Sequence, residues 1–526
     1  MGGSRGREPR QNNNKRRMIP GFVRGDSPRN TLAAGLAIGC DGRRLRAVAI
    51  AAGLCWSVLF VSIGLRYGLQ AYGDGSIFSY SVAVQDAWAF HWHNISGRLF
   101  VYLATMLPAE TYVRLTGDAG GGVVLYGFLF YVAPLLGLAG TWLADRSSGR
   151  ILFAYACVST ACLCPLVFGF PTEMWMAHTM LWPALALAHY ARGGIVRAIA
   201  VFALFLALAF THPGGMVFVV GIACSVALRG LRDPAVKGAA GATLIVAAIW
   251  IYTRAALPPD SYFASMLPRA AWGFFDISIL YAPLSLLLLG ALTGYGIAFL
   301  LMARLAPSSA QLYATAIAVA GLAAYWLWFD HALHTDNRYY LRTELFLIAP
   351  MFVAAAVFQA LLAERRLDVL KRVVDRLARP TRAMTAQALA GAIMVVMLVH
   401  AVETEKFATA WGDYKSAIVK LATGTVSDPV LGDPRFVSAE RIAAKLGPMA
   451  WASTTQYLSV LLAPGFAPSR LVVDPDEGYY WLSCETATAS RLAERAIPAR
   501  SRDLIGADAC LHRKRLIAQG PVAAAK

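Results

Sequence analysis

The chain has 526 residues, of which 57% are hydrophobic and only 15% charged, with a mean hydropathy of +0.52. Soluble globular domains carry about 25% charged residues, so this composition excludes an ordinary soluble fold. A net charge of +17 would suit nucleic acid if the basic residues shared one soluble surface; here they fall between apolar segments, where Lys and Arg set membrane orientation, and nucleic acid drops out as a partner.

Residues 1–46 carry eleven Lys or Arg and an Asn run at 12–14, which predicts a disordered basic cytoplasmic tail. The following run, 47–67, is long enough to stay as a span, against the shorter apolar core of a cleavable signal. Ten further apolar segments follow, near 122–143, 151–170, 174–190, 195–211, 214–229, 238–254, 275–303, 310–329, 343–363 and 384–403. With the basic tail inside, the cytoplasmic connections are 145–150, 192–197, 229–237, the link at Arg304, and 364–382, which alone holds seven Lys or Arg. The opposite loops are poor in basic residues, so the positive-inside rule agrees with eleven spans. The expected fold is therefore mainly α: a polytopic membrane helix bundle of about 11 transmembrane helices over residues 47–403. A small external α+β segment, 404–526, completes it. The expected location is a bacterial inner membrane, with the N-terminus cytoplasmic and the C-terminus periplasmic.

The first external loop, 68–121, is the longest. Ile77, Tyr80, Val84 and Trp88 recur at helical spacing, which predicts an amphipathic helix lying flat on the membrane over 76–93. The stretch RLFVYLATMLPAETYVR, from Arg98 to Arg114, is too short and too polar-ended to span and predicts a second interfacial helix. Asp74 lies between two glycines just after the first span. Its carboxylate could act as a general base or hold a hard cation such as Mg or Mn, or it could simply cap the next helix; the local sequence leaves these readings open. Asp86 is the other carboxylate of the loop's first half. His91 and His93, two residues apart, point to nearly opposite sides of a helix and do not chelate together, so no metal site is assigned there. With Trp88 and Trp92 they read as interfacial anchors.

His91, His93, His178, His212, His331 and His334 fall in or beside external loops, as do Asp74, Glu173, Asp330, Asp336, Arg338 and Arg342. Ionisable groups at a membrane boundary are costly unless they line a cavity or reach water, so the external face is the expected functional one. Arg338 and Arg342 stand one helical turn apart before the tenth span, and a guanidinium fork suits a phosphate. In the C-terminal segment a helix is expected over 438–446, with an apolar run over 457–463 and a strand over 470–474. Cys484 and Cys510, alone in an oxidising compartment, predict a disulfide.

These residues carry a resemblance. GDGSIFSYSVA with Asp74, the turn THPGG with His212, and DNRYYLRTELFLIAP with Arg338 and Tyr339 resemble elements of the GT-C superfamily of integral membrane glycosyltransferases. The layout is similar too: N-terminus inside, a long first external loop of interfacial helices, an acid soon after the first span, and an external C-terminal segment. The chain departs from the family in lacking an Asp-Glu or Asp-x-Asp pair in the first loop. The resemblance implies a polyprenyl-phosphate-linked sugar donor within the membrane lipids, with Asp74 acting on an acceptor hydroxyl. It further implies Arg338 and Arg342 on the phosphate, Glu173 and His212 orienting sugar or acceptor, and Trp88, Trp92 and Tyr339 stacking on sugar faces. The competing expectation is a transporter or flippase for a lipid-linked or anionic substrate. Against it stand spans such as 195–210, free of acids, and the lack of a repeat between the halves.

Overall fold

The computed structural model describes residues 28–85, 87–90, 95–167, 173–190, 194–212, 214–256, 268, 281–329, 342–364, 382–424, 433–439 and 454–473. It is mainly helical, as an apolar chain must be wherever lipid leaves backbone groups no partner but each other. Helix α1 (Pro28–Tyr67) begins inside the expected tail, where Ala33, Ala34, Leu36 and Ala37 favour helix. Its part from Gly42 to Tyr67 is long and apolar enough to cross a bilayer.

Next come α2 (Gly75–Ala83), α3 (Ala87–Phe90), α4 (Ile95–Val101), α5 (Leu107–Thr116), α6 (Ala119–Tyr131), α7 (Ala133–Ala144), α8 (Ile151–Leu163) and α9 (Glu173–Tyr190). They are followed by α10 (Ile195–Ala209), α11 (Gly215–Ala227), α12 (Pro234–Ala256), α13 (Pro283–Leu305), α14 (Ala310–Trp328), α15 (Arg342–Ala363) and α16 (Arg382–Thr423). Five of the described helices, α1, α12, α13, α14 and α16, are long and apolar enough to span, and the pair α6–α7, bent by 40° beside Pro134, makes a sixth. Four shorter apolar helices lie in α8, α10, α11 and α15. Together they point to a multi-pass membrane protein.

Helix α9 sits among α7, α8, α10 and α11 and is buried on nearly every side. It therefore tolerates polar residues only with partners. His178 bonds Ser159 Oγ at 2.7 Å and receives Trp182 Nε1 at 3.5 Å, while His189 bonds Ser225 Oγ at 3.1 Å. Glycine sets the closest helix approaches: a Cβ on Gly53 of α1 would lie 2.5 Å from Cys157 Cα of α8, and one on Gly137 of α7 would lie 2.6 Å from the Thr179 carbonyl oxygen of α9. Such small-residue contacts let backbones meet where no hydrophobic drive brings helices together in lipid.

In the first loop, α4 and α5 join through a π-helical turn (Tyr102–Met106) into one rod, with Pro108 in the first turn of α5, where its missing N–H costs nothing. Val101, Tyr102, Thr105, Met106, Ala109, Glu110 and Val113 are buried, whereas Leu103 and Leu115 are exposed, so this stretch is amphipathic as expected. The buried Glu110 accepts from the Ala87 amide at 2.7 Å and from the Tyr102 hydroxyl at 3.4 Å. Burial first, and the Glu110 charge second, push the Tyr102 phenol up to about 12.

The expectation of a flat surface helix over 76–93 fails for α2, which is buried all round. Its Ile77, Tyr80 and Val84 pack on Phe436, Tyr457, Val460, Leu471 and Val473 of the C-terminal segment, while Phe78 and Val82 belong to the main core. The serines permit this because their hydroxyls bond backbone: Ser76 to the Gly73 carbonyl (2.9 Å), Ser79 to that of Gln70 (3.0 Å) and Ser81 to that of Phe78 (2.7 Å).

Helix α16 also departs from expectation, running 42 residues without a break across the anticipated boundary at 403/404. At 1.5 Å per residue it measures about 63 Å, roughly twice a bilayer's hydrocarbon core. Its distal half lies against the end of α1, where Trp411 Nε1 (3.0 Å) and Lys415 Nζ (2.5 Å) both donate to the Tyr67 carbonyl. Beyond it, β1 (Phe436–Ser438) pairs in parallel with β2 (Leu471–Val473), and α17 (Thr455–Leu462) lies between them in sequence. The backbone amides of Ser469 and Arg470 donate to the Ala422 carbonyl, which ties this unit to α16. Ser438 is thus in a strand, where the start of a helix was expected; residues 440–453 lie outside the described set, as do Cys484 and Cys510.

Candidate functional site

Two left-handed glycines shape the chain around the first carboxylate. After α1 ends, Gly68 (φ 62°) turns the backbone into a 3-10 turn (Leu69–Ala71), and Gly73 (φ 57°) turns it again into α2. Asp74 occupies the N-cap position of α2, yet its side chain makes no capping hydrogen bond. Ser76 bonds instead to the Gly73 carbonyl and, at 3.2 Å, to that of Thr454. The capping role for Asp74 is therefore not the one its carboxylate plays. It is 4% exposed.

Glu173 opens α9 and is 5% exposed. Its Oε1 accepts from the Arg98 guanidinium of α4 at 3.0 Å. The Tyr126 hydroxyl, fully buried on α6, lies within the electrostatic reach of Glu173, Asp74 and Arg98 together. Two carboxylates from distant parts of the sequence, one guanidinium and one phenol thus converge beyond the end of α1, with a summed formal charge of −1 from Asp74, Glu173 and Arg98.

Four buried polar atoms in this region have no hydrogen-bond partner: Gln70 Oε1, Tyr126 Oη, Tyr131 Oη and Trp175 Nε1. Gln70 lies against Gly127, where a Cβ would come within 2.8 Å of its amide carbon. Beside them Trp175 meets Phe60, Phe130 and Tyr131 with ring centroids 4.6, 4.9 and 5.6 Å apart. The site is therefore walled by aromatic rings, with polar atoms interleaved.

The other expected site residues fall into three groups. His212 lies near the rod that carries Arg98, since the Phe100 amide donates to the Phe210 carbonyl at 3.0 Å, but its Nδ1 accepts from the Gly214 amide at 3.0 Å and so serves its own turn. Trp88 is 53% exposed, with its ring set against Tyr102 at 5.2 Å. His178, expected beside an external loop, is buried within the bundle. Asp86, His91, Arg338 and Tyr339 lie outside the described residues, as does the side chain of Arg342. Among the described residues no group of three His, Cys, Asp or Glu could hold a metal ion.

Arg98, Tyr126, Gln70 and Trp175 were not legible as site residues. Tyr126 lies in the apolar run VVLYGFLF and reads there as core, and Arg98 reads as the polar end of an interfacial helix. Only the fold pairs Arg98 with Glu173.

Comparison with known proteins finds no match: no family model, no curated protein and no solved structure is significantly similar to the chain.

Proposed function

We propose that the protein is an integral membrane glycosyltransferase of the GT-C kind, moving a sugar from a polyprenyl-phosphate donor to an acceptor hydroxyl at the periplasmic face. The observation that carries this reading is the convergence of buried Asp74 and Glu173 with Arg98 and Tyr126 just past the first span. In the proposed reaction Asp74 takes the proton of the acceptor hydroxyl as the new oxygen–C1 bond forms. The C1–O bond to phosphate breaks, and polyprenyl phosphate leaves with the bonding pair, inverting the anomeric centre. Glu173, oriented by Arg98, holds sugar or acceptor hydroxyls, while Arg338 and Arg342 neutralise the phosphate as its charge grows. A donor tail that never leaves the bilayer accounts for a site built at the membrane boundary. Eleven spans, an inside N-terminus and an external α+β C-terminal segment with a Cys484–Cys510 disulfide belong to the same proposal.

The test is sugar transfer by the purified protein in lipid nanodiscs, with polyprenyl-phosphate sugars as donors. Asp74→Asn should lower the rate by about 100-fold or more, in line with the loss of a general base, and leave the thermal stability near that of the parent. An Asp74→Asn protein that transfers sugar at the parental rate would overturn the mechanism.

A further inference from the structure

We infer that the cluster around Tyr126 is the subsite for the acceptor's hydroxyl-bearing group, which it takes as an uncharged polyhydroxylated ring, with the Tyr126 hydroxyl as a direct hydrogen-bond donor to it. The inference deepens the glycosyltransferase reading and rests on it.

Charge decides first what the cluster binds. Asp74 and Glu173 outweigh Arg98, whose guanidinium is already engaged with Glu173 Oε1 at 3.0 Å. A phosphate brought here would meet a net negative field at low dielectric, where like charges repel most strongly. A neutral hydroxyl meets no such field and can donate to either carboxylate. Phosphate recognition therefore belongs elsewhere on the site, and the acceptor belongs here.

Hydrogen-bonding capacity decides next. Buried polar atoms in folded proteins are nearly always partnered, yet Tyr126 Oη, Tyr131 Oη, Trp175 Nε1 and Gln70 Oε1 are not. The set mixes donors with an acceptor: two phenols that do both, an indole that only donates and an amide oxygen that only accepts. Vicinal hydroxyls, each donating once and accepting twice, are the substrate chemistry that can satisfy such a mixture. An apolar ligand would leave all four unmet, and an anion would leave Gln70 Oε1 unmet. The edge-to-face rings of Trp175, Phe60 and Phe130 supply the apolar wall that the C–H face of a sugar ring prefers. Tyr126 stands at the meeting point, because its hydroxyl is the one atom of the four that also lies in the combined field of Asp74, Glu173 and Arg98.

The experiment is equilibrium titration of the nanodisc-embedded protein with a panel of methyl hexosides and, separately, with inorganic phosphate. At least one hexoside should bind the parent protein, and Tyr126→Phe, which keeps the ring, should weaken that binding by about tenfold, the loss of one hydrogen bond. Phosphate should not compete, and the acceptor KM should rise in Tyr126→Phe while the donor KM stays unchanged. The inference is overturned if no hexoside binds, if phosphate displaces it, or if Tyr126→Phe binds it as tightly as the parent. A protein that binds hexoside through Tyr126 yet transfers no sugar would sink the catalytic reading and leave the subsite standing, so the two failures are distinguishable.

Discussion

Arg98 and Glu173 illustrate how a single pair governs the local energetics. Glu173 is the more buried partner, and a carboxylate stripped of its counter-ion inside a protein costs about 3 kcal/mol or more, whereas removing both charges together is far milder. Arg98→Met should therefore lower the thermal midpoint in detergent markedly, and the double variant Arg98→Met with Glu173→Gln should recover most of it; a double variant as unstable as Arg98→Met alone would contradict the pairing. The sequence offered Glu173 at the right membrane depth but not its partner, because that pairing spans α4 and α9 and no local spacing records it. Tyr126 was hidden for a different reason: in a membrane helix a tyrosine among Val, Leu and Phe has the signature of ordinary core, and only the burial of its hydroxyl without a partner distinguishes it.

At the level of elements, close backbone approach and unusual burial carry the predictions. Gly53 meets the Cys157 backbone at a distance no side chain tolerates, so Gly53→Val should force α1 from α8 and abolish a monodisperse peak in fluorescence-detected size exclusion. Val460 of α17 is fully buried against α2. Val460→Asp should free the C-terminal unit, seen as protease cleavage near Arg470 with the spanning region intact. The Tyr102 phenol gives a pH signature. Its folded pKa, pushed up to about 12 by burial and by Glu110, exceeds the ordinary value near 10, so the unfolded chain loses its proton first as pH rises. Stability from this group is complete below pH 10 and is lost between about 10 and 12; Tyr102→Phe should blunt that loss in a thermal-shift titration. The period in Ile77, Tyr80 and Val84 did reveal the helix of α2 and one of its packed faces. What it could not reveal was the burial of the opposite face, since three serines look solvated until their hydroxyls are found on backbone carbonyls.

Across the whole molecule, each of the eleven apolar segments coincides with helix, because length and hydropathy report directly on what lipid demands of a backbone. The sidedness is a proposal with a plain check: Thr116→Cys should react with an impermeant maleimide in intact cells, and Ser148→Cys only after permeabilisation. The reverse pattern would invert the topology. The tertiary cover over α2 was not readable, since it depends on α16 continuing past the point where hydropathy falls. That continuity has a mechanical consequence. A stiff rod of about 63 Å anchored in the bilayer acts as a lever, so a change of tilt by a few degrees displaces its far end by a few ångströms. That end grips the Tyr67 carbonyl and the Tyr72 ring, two residues from Asp74. Hydrocarbon thickness thereby becomes an input to the reactive centre, and turnover should track the acyl-chain length of the host lipid.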